Sequence, residues 1–488
     1  VDNAAIAFTV HKPNGFDPTK KYPVILQSHG FGGSRFNAAA RPAANATSLY
    51  GRMLATGYGM VSIDQRGHGD SGGTIRVLDP DFEGKDLLQI LDWMDENLDW
   101  MEKRDGNAVL GATGGSYGGG YQHTIYANDA KNRLDAIAPE ITWYDLRYSL
   151  NPGKVFKSYW GTLLSAAGNA AGNQRKGNMD PVITQGLAEA QTTGQIQPDK
   201  EAILYANSLV SYCEGKNPRG TLRRIDALYM QSARDTLFNL NDAKNLVSCV
   251  AQQGGDVRFF NKINGHDSGT GEACGNMKKD DAILAWFDEK LKGETSKASY
   301  IPKTCFTLDG SGSTDSVVVA GSIPVGGMNI PLPSGLTNFA AQEGNQQALS
   351  VPLFKVGDAG AVLAGVPTIS LTIQSATPSS PVSAPITPGE PVLFVAIAVR
   401  RAGSTTDTIT LPNQWQPFRG AKTHNVELVG VTTRLAKDDE IRLVIRGSEA
   451  QRYPNMGSRA GAVVNLSGSV SLPLLAATLP AAPTVPAL

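Results

Sequence analysis

The 488-residue chain is longer than one ordinary hydrophobic core spans, which predicts two domains. Hydrophobic residues at 41% and charged residues at 18% describe a globular chain, and 44 basic against 45 acidic residues leave a formal net charge of -1. That balance excludes the basic field that nucleic acid or an anionic membrane surface would need, and no run of about 18 apolar residues is present to span a bilayer.

From the start of the chain, short apolar runs alternate with helical patterns. PVILQSH (23–29), GMVSIDQ (59–65), NAVLGAT (107–113), LDAIAPEI (134–141), DALYMQS (226–232) and DVRFFNKI (256–263) read as buried strands, so residues 1–300 predict a parallel α/β sheet. Between them, residues 84–98 carry Leu87, Ile90, Leu91 and Met94 at helical spacing, and residues 278–292 carry Ile283, Trp286, Phe287 and Leu291. The stretch 145–222 breaks this rhythm with Ala, Asn, Gln and Gly and with helical patches such as residues 199–213. It is expected to form a helical cap inserted over the sheet. From 301 to 488, β-rich segments such as TDSVVVAG, PTISLTIQ and PVLFVAIAV are parted by Pro, Gly and Ser clusters, which predicts a β-sandwich or jelly roll.

Chemistry concentrates at Gly114-Gly-Ser116-Tyr-Gly118, a G-x-S-x-G match with a strand pattern before it and a helix pattern after it. That setting lifts a serine hydroxyl into a sharp, exposed turn. Gly69-Asp-Ser71-Gly-Gly73 matches the same pattern, but no strand feeds Ser71 directly. GDSGG is also the nucleophile motif of trypsin-like proteases, which need an all-β scaffold that the surrounding α/β pattern excludes. A serine nucleophile requires an imidazole to take its proton and a carboxylate to orient that imidazole, in the chain order Ser, acid, His for such an elbow. Of six histidines, His11, His29 and His68 lie upstream, His123 lies in the helix leaving the elbow, and His424 lies in the β-rich part. His266, in the loop after the strand at 256–263, remains. Asp235 follows the strand at 226–232, at the end of a strand where open α/β sheets build their sites. The oxyanion donors expected are the N–H groups of Tyr117 and of Phe31 in the loop Ser28-His-Gly-Phe-Gly-Gly33. Asp64 and Arg66 are expected to brace the loops around the elbow.

HGFGG, DQRGHGDSGG, DFEGKDLLQILDWM, GGSYGGG, PEITWYDLRYSL, SARDTLFNLNDA and NGHDSG occur in an order that resembles the cocaine-esterase and X-prolyl dipeptidyl-peptidase family of α/β-hydrolases. The resemblance covers nearly the whole chain. It implies a catalytic α/β domain, a cap after the sixth strand, a C-terminal jelly roll, and Ser116, Asp235 and His266 as the triad with Tyr117 at the oxyanion hole. Cocaine-esterase members place a tyrosine side chain in the first oxyanion loop. Phe31 stands at the comparable place here, so only a backbone donor serves, and the site becomes similar to lipases and polyester-cleaving hydrolases. Trp143 and Tyr144, with Trp160 in the cap, are candidates for binding the acyl group.

The reading is a carboxylic-ester hydrolase acting through an acyl-enzyme, needing neither metal nor organic cofactor, on small-molecule or polymeric esters, aromatic polyesters included. Its rivals are an X-Pro dipeptidyl peptidase or amide acylase, with Glu189, Asp199 and Glu201 as candidate amine-binding groups, and a non-catalytic binding protein. Cys213, Cys249, Cys274 and Cys305 lack CxxC spacing, and no histidine cluster completes a zinc site. Their even number and a chain that begins at Val1 suggest an exported protein with disulfides. Of three pairings, Cys213–Cys249 and Cys274–Cys305 close the short loops at least cost. Composition leaves the oligomeric state open.

Overall fold

The computed structural model describes residues 2–172, 178–267, 271–310, 315–341, 344, 347–376, 390–455 and 461–480. A nine-stranded sheet carries the first part of the chain, built from β1 (Phe8–His11), β2 (Val24–Ser28) and β3 (Gly59–Ile63). A short hairpin, β4 (Lys103–Arg104) and β5 (Asn107–Ala108), precedes β6 (Leu110–Gly115), β7 (Ala136–Glu140), β8 (Asp226–Ser232) and β9 (Val257–Lys262). A second small hairpin, β10 (Glu272–Ala273) with β11 (Met277–Lys278), follows β9, and the sheet is completed by β12 (Thr304–Thr307) and β13 (Ser316–Val319). The strand order is β1-β3-β2-β6-β7-β8-β9-β12-β13. All neighbours run parallel except the two outer pairs, β1 with β3 and β12 with β13.

Alternation along these strands supplies two cores. Leu26, Val61, Ala227, Tyr229 and Phe259 pack on one face, while Ile25, Met60, Leu228, Met230 and Phe260 pack on the other. The first face is covered by α2 (Lys85–Asn97), α3 (Tyr117–Asn128) and α9 (Leu240–Ala251), and the second by α1 (Leu49–Ala55) and α10 (Lys279–Lys292). Between β7 and β8 lie α4 (Leu146–Leu150), α5 (Ser158–Ala170), α6 (Pro181–Thr193), α7 (Pro198–Ala206) and α8 (Leu209–Cys213). The start of α6 is set by Pro181 at its first position and by Asp180, whose carboxylate accepts from Val182 N–H; Gly194 in the left-handed conformation ends it. The single helix expected over 199–213 is two, because Asn207 and Ser208 interrupt it and the Ser208 hydroxyl turns back to the Leu204 carbonyl at 2.6 Å.

Two sequence expectations shift. One strand, β1, precedes β2, so this insertion follows the fifth strand of the main sheet and not the sixth. The boundary expected at residue 301 falls inside the sheet: β12 pairs with β9, and β13, read from TDSVVVAG as part of the β-rich domain, pairs with β12. Composition identifies a strand but not the sheet it joins. Beyond Val319 two antiparallel five-stranded sheets enclose a separate core that includes Leu371, Val395, Leu443 and Val470.

Both disulfides pair as the loop-length argument expects, Cys213 with Cys249 and Cys274 with Cys305. The first ties the last helix of the insertion to α9, and the second ties the segment after β9 to β12. The Cys213→Ser/Cys249→Ser double variant is expected to lose roughly 3–4 kcal/mol, the chain-entropy value for a separation of 36 residues. A lowered midpoint of urea unfolding checks it.

Candidate active site

β6 ends at Gly115 and α3 begins at Tyr117, so the chain reverses at the single residue Ser116, which holds φ 57° and ψ -119°. A non-glycine residue persists there only when its surroundings over-determine it. They do: Ser116 N–H donates to the Glu140 carbonyl at 2.9 Å, and its own carbonyl accepts from Gly119 N–H (2.8 Å), Gly120 N–H (3.0 Å) and the Thr142 hydroxyl (3.0 Å). The flanking glycines are required by close approach. A Cβ on Gly114 would lie 2.5 Å from the Gly118 carbonyl oxygen, and one on Gly118 would lie 2.5 Å from the Ser28 carbonyl oxygen.

The Ser116 hydroxyl lies 2.9 Å from His266 Nε2, and His266 Nδ1 lies 2.7 Å from Asp235 Oδ2. Asp235 is fully buried, and its other oxygen accepts from Leu237 N–H at 2.8 Å and Phe238 N–H at 3.1 Å. A carboxylate acceptor at Nδ1 requires the proton there, which leaves the Nε2 lone pair facing the serine hydroxyl. The residues arrive from three separate strand ends, β6, β8 and β9, which sequence order and elimination had brought together. The other histidines are engaged elsewhere. His123 is buried against the Tyr229 hydroxyl at 3.0 Å, and burial pushes its pKa down to about 3. His68 donates through Nδ1 to the Arg66 carbonyl, and burial, with His29 beside it, lowers it likewise to about 3.

The competing Ser71 is buried, donates to the Asp64 carbonyl at 2.7 Å and accepts from Ala7 N–H at 2.9 Å. Asp64 accepts from the N–H groups of Arg35 (2.6 Å) and Asp70 (2.9 Å), and Arg66 makes two bonds to Asp86, so this motif braces neighbouring loops.

A cavity of about 90 Å³ opens beside Ser116. Phe31, Tyr117, Trp143, Leu237 and Phe238 line it near the serine, and Leu164, Met179, Val182, Ile183, Leu187, Ile203 and Leu204 line it from the inserted segment. Phe31 packs edge-on against Tyr117, whose hydroxyl accepts from Leu78 N–H at 3.1 Å. Tyr117 opens α3, so its N–H has no intrahelical acceptor.

The three aromatic candidates separate. Trp143 lines the cavity. Tyr144 does not; its N–H donates to Asp242 at 3.0 Å, and its ring packs against the core of the first sheet. Trp160 is also outside the lining, with its ring 5.3 Å from that of His266 and its Nε1 donating to the Thr236 hydroxyl at 3.0 Å. The aliphatic wall was missed. Val182, Ile183 and Leu187 recur at helical spacing on α6, a signal that marks one apolar face without saying what it faces. Among the described residues no group of three or more His, Cys, Asp or Glu side chains is placed to hold a metal ion.

The chain is similar over its whole fold to a CocE/NonD family hydrolase from Staphylococcus aureus, with TM-score 0.66, 14% identity, and 96% of this chain and 91% of that one covered. It is equally similar to an aminopeptidase from a marine sediment Thaumarchaeota archaeon, with TM-score 0.67, 13% identity, and coverage of 97% and 95%. At such identities the likeness concerns the fold. In sequence, it is 30% identical over 142 residues to an uncharacterized 31.7 kDa protein of Escherichia coli, covering 29% of this chain and 43% of that protein. It is 30% identical over 185 residues to a probable dipeptidyl-aminopeptidase B of Colletotrichum graminicola, covering 36% and 20%. The chain thus spans less than half the length of these curated relatives. The profile of the X-Pro dipeptidyl-peptidase (S15 family) matches residues 2–266, which hold the elbow and reach His266. Matched over more than half its length, this α/β-hydrolase chain belongs to the S15 family.

Proposed function

We propose that the protein is an exported serine hydrolase that cleaves carboxylic esters with an apolar acyl group. In this reading Ser116 attacks the carbonyl, and His266 Nε2 takes its proton and returns it to the departing alcohol. Asp235 holds the imidazole in the required tautomer and stabilises its cation. The N–H groups of Tyr117 and Phe31 bind the developing oxyanion. Water then repeats the sequence on the acyl-enzyme. Two disulfides fit an oxidising compartment outside the cytoplasm.

The observation that carries the reading is the lining of the cavity. A dipeptidyl peptidase would need a carboxylate or a tyrosine cluster to bind the free amine of its substrate; among the described residues around this cavity there is no carboxylate and one tyrosine, Tyr117, whose hydroxyl already accepts from Leu78 N–H. The acids that the sequence offers for that task are outside this lining, although Asp199 pairs with Lys200, which is part of it. Glu189 accepts from Gln185 at 2.9 Å, Asp199 pairs with Lys200 at 2.6 Å, and Glu201 holds Asn151 at 2.8 Å and pairs with Lys154.

Across p-nitrophenyl acetate, butyrate and hexanoate, kcat/KM is expected to rise about fourfold per methylene, since each buried CH₂ contributes about 0.8 kcal/mol. Aromatic polyester film and Gly-Pro-p-nitroanilide complete the substrate set. The peptidase names among the relatives make X-Pro release the second reading. Faster turnover of the anilide than of any ester would install it in place of the first.

A further inference from the structure

Lys157 lies just before α5 and is 5% exposed. Moving an ammonium out of water costs several kcal/mol unless a counter-charge or a full set of acceptors replaces the lost hydration. Lys157 forms no ion pair among the described residues, and its Nζ donates to the carbonyls of Thr236 (2.8 Å) and Leu237 (3.1 Å). Those carbonyls belong to the loop of Asp235. Gln414 of the C-terminal β domain, also buried, donates to the carbonyl of Asp235 itself at 2.6 Å.

The loop therefore divides its hydrogen bonds in two. The N–H groups of Leu237 and Phe238 turn inward to the Asp235 carboxylate, while three consecutive carbonyls, 235 to 237, turn outward to Gln414 and Lys157. The Thr236 side chain is held in the same way, accepting from Trp160 Nε1 at 3.0 Å and from Arg452 Nε of the β domain at 2.9 Å. The Asp235 N–H also donates to the Ser232 carbonyl at 3.1 Å, so the peptide planes that carry the carboxylate are held through both their N–H and their C=O groups.

We propose that Lys157 and Gln414 are positioning residues for Asp235, so that the C-terminal β domain forms part of the active site. The inference rests on the reading of Ser116, His266 and Asp235 given above. A neutral donor would satisfy the carbonyls at lower cost; a cation also favours the ionised acid. The charged and titratable groups around Lys157 are Asp235 on the loop, Asp242 on α9, Tyr148 on α4, and Arg452 and Tyr453 of the β domain. Burial pushes the Lys157 pKa down, with Arg452 adding to the fall and Asp242 and Asp235 opposing it. The cation is therefore lost below the ordinary lysine range as pH rises.

The test compares the full-length wild type with Lys157→Met and Gln414→Leu. It reads the thermal unfolding midpoint, kcat and KM on p-nitrophenyl butyrate, and the rate of Ser116 labelling by a fluorophosphonate across about pH 6–10. Lys157→Met is expected to lower the midpoint, since it leaves the Thr236 and Leu237 carbonyls without a donor, so the kinetic readouts are taken on the folded variant well below that midpoint. It should label more slowly and lose kcat by on the order of 10- to 100-fold, with KM unchanged. It should also lack the alkaline decline of the wild type. Gln414→Leu is expected to lower kcat in the same manner while retaining that decline, and it decides the matter if Lys157→Met does not fold. Wild-type labelling rate, kcat and pH profile in the folded variants would overturn the proposal. A wild type that the fluorophosphonate does not label would overturn the underlying assignment instead.

Discussion

Ser116→Ala is expected to lose on the order of 10⁶-fold in kcat while remaining folded. The loss is this large because the remaining groups have no bond to form. His266 Nε2, 2.9 Å from the hydroxyl, retains its lone pair but finds no proton to take. The fold survives because the elbow is held by the Ser116 peptide and not by its hydroxyl: its N–H reaches Glu140, and its carbonyl serves Gly119, Gly120 and Thr142. Ser116→Gly should be as inactive and more stable, since a non-glycine residue at φ 57° stores on the order of 1–3 kcal/mol. Ester turnover and thermal unfolding of the two variants measure both effects. The second G-x-S-x-G serine provides the control. Ser71→Ala should preserve turnover and cost about 1–2 kcal/mol of stability, because it removes an acceptor from the half-buried Ala7 N–H and a donor from the buried Asp64 carbonyl. Activity that survives Ser116→Ala would remove the mechanism altogether.

Asp235→Asn is expected to lower kcat by about 10⁴-fold with little change in KM. The reason is a forced tautomer. In the protein Oδ1 accepts from two N–H groups and Oδ2 from the imidazole. An asparagine must keep its carbonyl toward the two N–H groups, since an NH₂ there would face donors. Its NH₂ then points at His266 Nδ1, which becomes an acceptor, and the ring proton moves to Nε2. The imidazole now donates to Ser116 and cannot act as its base. Steady-state kinetics on p-nitrophenyl butyrate provide the measurement, and a loss below about tenfold would show that Asp235 does not control the tautomer.

The reach of the sequence differs between these residues for physical reasons. Ser116, Asp235 and His266 were legible because each sits at a strand end whose periodicity is strong, and because few histidines compete. The cap was legible as an interruption of the α/β rhythm, but its aliphatic wall was not, since an apolar helix face carries no address. Aromatic character marks Tyr144 and Trp160 in the sequence, but it does not say that the first packs into the core or that the second lies against His266. Lys157 and Gln414 gave no signal, because both act on backbone carbonyls, and any sequence supplies those. The strand at Ser316–Val319 was legible as a strand, while its place in the larger sheet depended on β12, itself held by Cys305.

That last strand pair has a consequence for dividing the molecule. β9 reads VRFFNK, and β12 covers it through Thr304 opposite Phe259 and Cys305 opposite Phe260. A fragment ending at residue 300 would expose the unpaired N–H and C=O groups of an aromatic strand, the template for edge-to-edge aggregation. It would also leave Cys274 as a free thiol beside that edge. Adding β12 and β13 does not yet give a self-sufficient piece, because Val318 N–H donates to the Pro480 carbonyl at 2.9 Å. The last described residues of the chain thus return to cap the rim of its first sheet, one of several places where the two domains are hydrogen-bonded to each other.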